Sequence, residues 1–195
     1  MSTEGERLPA LTPAEMSPEQ RAAAAALVSG RRGSLFGPFV ALLRSPALLD
    51  RTQRLGEYLR YDSALPERLR ELAILITARH FAQAYEWHVH APAALAAGLA
   101  PQVIAELAQQ RRPQRLAPDE QDVYEFCREL HESHQVSDRS YAAALARLGE
   151  HGLLDLIGIC GYYGLLALVM NVARTALPEG AQPFAQPSNL SSTAR

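Results

Sequence analysis

An all-α fold follows from three features of this 195-residue chain. Apolar residues recur at three- and four-residue spacing from Phe39 onward, the pattern of helices that bury one face. No window shows the two-residue alternation of a half-buried strand. Prolines at positions 46, 66, 101 and 118 stand just ahead of apolar-periodic runs, where a helix start tolerates them.

Taken in chain order, Glu19–Val28 is Ala-rich and reads as helix. Gly30, Gly33, Gly37 and Pro38 mark a loop. Helical periodicity resumes at Phe39, Leu42 and Leu43, and Pro46 opens a helix expected to reach about Tyr61. The run Leu69–Ala82 is apolar round most of its circumference, which predicts a buried helix. Its Ile/Leu stretch at 72–76 has the composition of a strand, but its length and helical flanks favour helix. Gln83–Ala97 ends at Gly98, with Leu99 placed for the C-terminal apolar contact. Pro92 either kinks that helix or ends it. Pro101 opens a short helix to about Gln110, and residues 111–117 form a polar linker. Pro118, Asp119 and Glu120 start another helix, with Val123, Phe126, Cys127 and Leu130 on its apolar face. Ser137 caps a helix ending near Gly149, and a Gly-rich helix follows from about Leu153 to Ala176.

The organisation is a single helical domain over residues 19–178. A disordered or loosely attached segment over 1–18 precedes it, and a Pro-rich tail or arm over 179–195 follows. With 48% hydrophobic residues the chain can build a real core, and a net charge of -2 gives no reason to expect nucleic acid or an anionic membrane as partner. Cys127 and Cys160 are far apart in sequence, form no disulfide framework and fit a reducing cytoplasm. Residues 1–20 lack the apolar region of a signal peptide. The apolar run Leu156–Met170 is 15 residues long, against the about 20 that a membrane span needs. Gly158, Gly161 and Gly164 give it a smooth strip for close approach by another helix, in the core or at a subunit interface.

Chemistry concentrates in the segment from Gln83 to His90. On a helix Gln83, Glu86 and His90 share one stripe, which Ala94 and Ala97 extend with small residues. Small residues there argue for a second helix lying close and for an inward-facing Glu86/His90 pair. The alternative is an ordinary solvated face. Glu71, at the edge of the densest apolar run, is expected to be desolvated, which raises a carboxyl pKa toward the range useful in acid–base work. Its alternative is an ion pair with Arg68 or near Arg70. His88 and His90 would share a side of a strand rather than of a helix, and Glu86 with His90 supplies only two ligands. His131 and His134 read as a solvated helix end. No metal site and no cofactor are expected.

The stretch Arg70-Glu71-Leu72-Ala73-Ile74-Leu75, then Tyr85-Glu86-Trp87 with His90, then Ala94 to Gly98-Leu99, resembles the core of the carboxymuconolactone decarboxylase-like superfamily. That superfamily also holds the alkylhydroperoxidase D-like proteins. The resemblance extends upstream through Ser45-Pro46 and Leu55-Gly56, and downstream through Gly161-Tyr162-Tyr163, Asn171 and Pro178-Glu179-Gly180. It implies an alkylhydroperoxidase D-like helical bundle around an antiparallel helix pair, assembled as a trimer or hexamer. In the peroxidase branch a Glu, a Cys-x-x-Cys pair and a His form a proton relay. Glu71 and His90 match its Glu and His, while Gln83 and Glu86 stand at the two cysteine positions. Neither can form a sulfenate or a disulfide, so that cycle is impossible at this place, and a peroxiredoxin-type label would be inherited by homology alone. The decarboxylase branch keeps a Glu four residues before the His, as Glu86 and His90 are, and acts on a carboxylated unsaturated lactone from aromatic-compound catabolism.

The function expected on these grounds is a cofactor-independent lyase that decarboxylates a small unsaturated lactone or related acid. His90, held by Glu86, protonates carbon, and Glu71 tunes or relays the proton. Arg70 or Arg79 binds the substrate carboxylate, and Tyr85 and Trp87 wall the pocket with Gln83 and His88 nearby. The rivals are another proton transfer at the same cluster (hydrolysis or isomerisation) and a non-enzymatic oligomeric accessory protein. A last alternative, peroxide reduction through Cys127, requires that thiol to be exposed with a depressed pKa.

Overall fold

The structure, a computed structural model, describes residues 5–186. Among them every regular element is helical: α1 (Pro18–Ser29), α2 (Pro38–Leu42), α3 (Pro46–Glu57), α4 (Glu67–His80), α5 (Ala84–Ala96), α6 (Pro101–Ala108), α7 (Pro118–Ser133) and α8 (Asp138–Ala173). The helix from Pro46 does not run as α-helix to Tyr61. It widens at Tyr58–Asp62 into a π-helical turn, anchored to α8 by the Tyr58 hydroxyl donating to Asp155 at 2.8 Å.

Helix α4 is the axis of the bundle, packed by α5, α6, α7 and α8 at once. That is why its sequence is apolar on nearly every side: Leu69 and the whole run from Glu71 to Ala78 are buried. The chain reverses through Ala82, at φ 50°, so α4 and α5 lie antiparallel. Asn171 of α8 pins this reversal by donating to the Phe81 carbonyl at 2.8 Å. Gln83 caps α5, accepting from the Tyr85 amide at 2.7 Å, and its own amide donates to Asn171 at 2.8 Å. Helix α5 continues through Pro92 and closes as expected. Gly98 takes φ 92° and the Leu99 amide bonds back to the Ala94 carbonyl at 2.9 Å.

The two helices expected beyond Ser137 form the two arms of α8, broken at Gly149 (φ 67°, ψ 176°). By length and composition α8 could cross a membrane, but 61% of its most apolar stretch is buried inside the protein. It is a core helix with one open face.

Residues 5–17 are tied down rather than loose. The Arg7 amide donates to the Ala173 carbonyl (2.8 Å), Arg44 to the Pro9 carbonyl (2.7 Å) and the Ala176 amide to Glu6 (2.8 Å). At the other end the chain returns over α5, where the Trp87 indole donates to the Ala185 carbonyl at 3.0 Å. Residues 1–4 and 187–195 of the two expected terminal segments lie outside the described residues. His131 also departs from expectation. Its ring stacks on His80 at 4.8 Å and its Nε2 lies 2.9 Å from the Thr77 hydroxyl, so it faces α4 instead of solvent.

Candidate active site

The antiparallel pair α4–α5 brings Glu71, Glu86 and His90 together in the interior, at 2%, 4% and 4% exposure. A solvated stripe is therefore the wrong reading of this face. Small Ala94, itself fully buried, fits the close approach of neighbouring helices.

His90 Nδ1 lies 2.7 Å from Glu71 Oε2. An ionised carboxylate only accepts, so this contact makes Nδ1 the protonated nitrogen and turns Nε2 to the other side of the ring. The residue holding His90 is thus Glu71, not Glu86 as the four-residue spacing had implied. Arg68 is engaged elsewhere, by Asp119 and Glu120 of α7. Arg70 reaches Glu71 only at 3.9 Å.

The two glutamates experience opposite fields. Burial alone would raise the Glu71 carboxyl, but His90, Arg60 and Arg70 together hold it below the usual carboxylate range. Burial pushes the Glu86 carboxyl well up, and among the described residues no donor meets either of its oxygens. The first is kept as an anion and the second as a neutral acid. Two carboxyls driven apart in this way take different parts in proton transfer.

Glu86 and His90 line a small cavity of about 30 Å³, room for little more than a water or two. Two guanidinium groups border it. Arg60 comes from the π-helical turn; it lies 5.7 Å from the Tyr61 ring and makes no hydrogen bond or ion pair among the described residues. Arg32 sits 4.5 Å over the Phe39 ring and donates to the Tyr162 hydroxyl at 3.1 Å, while its buried Nε has no partner among the described residues. Tyr163 meets the His90 ring edge-on at 5.0 Å, and burial raises both tyrosine hydroxyls, Tyr162 to about 12.

Of the expected substrate-binding residues, Tyr85 lines the cavity. The others need correcting. Trp87 is fully buried in the core against Phe184. Gln83 is spent on capping α5 and holding Asn171. Arg79 lies 3.8 Å over the Phe184 ring and faces a different pocket. Arg70, with Glu67 and Glu71 as its carboxylates, and half-buried His88 do not line the cavity. Arg32 and Arg60 were missed because each sits far from the Glu–His segment in sequence. The one available signal for the tyrosines was the Gly161-Tyr162-Tyr163 element of the family resemblance. Among the described residues no group of three or more His, Cys, Asp or Glu is arranged to hold a metal ion.

Gly56 makes room for this wall. A methyl group there would collide with the Tyr162 hydroxyl and the Arg32 guanidinium. The obstacles include the ring of buried Tyr162 as well as the Arg32 guanidinium, so Gly56→Ala is expected to cost about 1–3 kcal/mol, read as a lower thermal midpoint. An unchanged midpoint would show that the Arg32–Tyr162 wall yields without loss.

Residues 46–129 match the model of the carboxymuconolactone decarboxylase family. This range contains Arg60, Glu71, Glu86 and His90, and leaves out Arg32, Tyr162 and Tyr163. No curated protein matches the chain. A solved structure from Ralstonia eutropha JMP134, described as an alkylhydroperoxidase AhpD core and an uncharacterized peroxidase-related protein, is 18% identical with a TM-score of 0.70. The match covers 91% of this chain and 95% of that one. At that identity the likeness is one of fold: an all-helical, alkylhydroperoxidase D-like bundle.

Proposed function

We propose that the chain, whose residues 46–129 match the model of the carboxymuconolactone decarboxylase family, is a lyase that decarboxylates a small unsaturated lactone or related carboxylic acid. The observation that carries the reading is one cavity holding a buried carboxyl (Glu86) with no hydrogen-bond partner among the described residues, beside two guanidinium groups (Arg32 and Arg60). An anionic substrate with a conjugated carbonyl matches that set. Arg60 and Arg32 bind the anion and steady the charge that moves onto the carbonyl as carbon dioxide leaves. Glu86 then gives its proton to carbon, and His90, oriented by Glu71, returns a proton from solvent. The carbon–carbon bond breaks, a carbon–hydrogen bond forms, and one proton is taken up per turnover.

A cavity this small opens before such a substrate fits. The loop between α1 and α2, which carries Arg32 and Phe36 and has Gly33 and Gly37 at positive φ, is the wall such a substrate would displace. The test is carbon dioxide release from a carboxylated γ-lactone. Arg60→Ala is expected to raise KM by about 10-fold or more, since a charge-assisted contact is worth roughly 1.5–3 kcal/mol. His90→Ala lowers kcat, and equal rates for His90→Ala and wild type would remove His90 from the mechanism. Double-bond migration without carbon dioxide release would make the same groups an isomerase.

The reading includes a homo-oligomer. Leu154, Ile157, Leu165, Leu168 and Val172 form one exposed stripe along α8, 39–67% accessible, and Leu168 and Val172 continue into an apolar groove with Leu8 and Leu48. Leu168→Asp is expected to convert the assembly to monomers in light scattering. A wild-type chain that is already monomeric would refute this part.

A further inference from the structure

The end of α4, the end of α6 and the last turns of α7 enclose a second pocket, of about 260 Å³, that shares no residue with the Glu86 cavity. Its polar lining is Arg79, Arg111 and Arg128 with His80 and His131, and its apolar lining is Ile76, Leu107 and Tyr124. Glu132 is the one carboxylate among the lining residues, and Arg128 donates to it at 2.6 Å while pairing with Glu125 at 3.1 Å. Arg79 and Arg111 therefore remain as surplus positive charge. Arg79 is held on two sides. Its Nε donates to the Leu107 carbonyl at 3.2 Å, and its guanidinium lies 3.8 Å over the Phe184 ring. Among the described residues neither of its Nη nitrogens has a partner and no carboxylate offsets its desolvation. Arg111, exposed just after α6, makes no side-chain hydrogen bond or ion pair among the described residues. A guanidinium fixed in orientation, partly dried and without a counter-ion is an incomplete arrangement that an anion from outside completes.

We propose that this pocket binds a small organic carboxylate with an apolar or aromatic body, its charge held by Arg79 and Arg111. The apolar lining selects the class of anion. A hydrated inorganic ion gains nothing from Ile76, Leu107 and the Tyr124 ring, whereas a carboxylate on a small ring or short hydrocarbon uses both kinds of lining. The planar Arg79 fork takes the carboxylate through its Nη nitrogens. The stacked imidazoles add a pH dependence. His80 and His131 lie 4.8 Å apart with their planes 18° from parallel. Burial, then His131 and His134, hold His80 below its ordinary range against an opposite pull from Glu132. An anion beside the pair offsets that field, so its binding is coupled to proton uptake by His80 and tightens as pH falls. The site is separate from the lyase cavity, and the inference stands whether or not the lyase reading does.

The test is calorimetric titration of the full chain with benzoate, with benzamide and inorganic phosphate as comparisons, at about pH 5.5 and 7.5, where benzoate stays ionised. The expected result is saturable binding of benzoate, with benzamide and phosphate each weaker by about 10-fold or more. Arg79→Gln should weaken benzoate by about 10-fold or more, and Arg111→Gln by several-fold. Binding to wild type should be tighter at the lower pH, and His80→Gln should remove most of that gain. Arg60→Ala, in the other cavity, should retain the Arg79-dependent binding. Melting curves accompany each titration. Should Arg79→Gln fail to fold, exposed Arg111 carries the same test. Absence of saturable benzoate binding at millimolar concentration, or equal binding of benzamide, would overturn the proposal. Phosphate binding tighter than benzoate would overturn the class of ligand. Binding lost in Arg60→Ala and kept in Arg79→Gln would put the anion in the lyase cavity and overturn the site. Equal affinity at both pH values would overturn the part given to His80.

Discussion

Replacing Glu86 by Gln is expected to lower the decarboxylation rate by about 10²–10⁴-fold, the usual worth of a positioned proton donor. The amide keeps the shape of the side chain and cannot deliver the proton. The same change has a second signature that does not need the substrate. Burial raises the Glu86 carboxyl well above its ordinary 4.5 in the folded chain, so the folded state holds a proton that the unfolded chain releases. Stability from this group is complete below pH 4.5 and declines as pH rises through the folded value. Unfolding midpoints of wild type should therefore fall as pH rises above 4.5, and Glu86→Gln should make that fall shallower. An unchanged slope would mean that Glu86 is not the buried neutral acid, and its assignment as donor would fail with it.

How far the sequence revealed this site depends on the range of each signal. Helices α4 and α5 were legible because their periodicity, the glycine at position 98 and the prolines at their flanks are local features. The inward face of Glu86 and His90 was legible from the small residues continuing their stripe. Which glutamate holds His90 was not. Spacing of four on one helix favoured Glu86, yet the contact is made across the helix pair by Glu71, 19 positions away. Distance from the helix pair also concealed the cations. Arg70 and Arg79 are close in sequence, but their guanidinium groups point past the cavity, whereas Arg32 and Arg60 reach it from a loop and a π-helical turn. The buried Cys127 and Cys160 sulfurs, 3.6 Å apart, belong to the same class. A pairing between residues on α7 and α8 leaves no mark on either helix taken alone.

Glu71→Ala should be the most destabilising single change in the cluster. Removing the acceptor leaves the buried His90 Nδ1–H without its carboxylate, at a cost of about 1–3 kcal/mol. A domain of this size has about 5–15 kcal/mol in total, so the loss is a sizeable share of its stability. Glu71→Gln separates charge from geometry. Its carbonyl can still accept from His90 Nδ1, which retains the ring orientation and recovers much of the stability. What it loses is the acid limb. Because the field of His90, Arg60 and Arg70 outweighs burial and depresses the Glu71 carboxyl, its contribution is complete above pH 4.5 and disappears as pH falls through the folded value. Urea unfolding from pH 3 to 7 should therefore show a steep wild-type decline toward acid and a shallower one for Glu71→Gln. With Glu86→Gln acting on the opposite limb, the double variant should be shallower than wild type on both sides, the remaining acid slope coming from other depressed carboxyls such as Glu106 and Glu129. If Glu71→Ala unfolds within about 1 kcal/mol of wild type, His90 has another support. The carboxylate–imidazole pair would then not be what orients the ring for proton transfer.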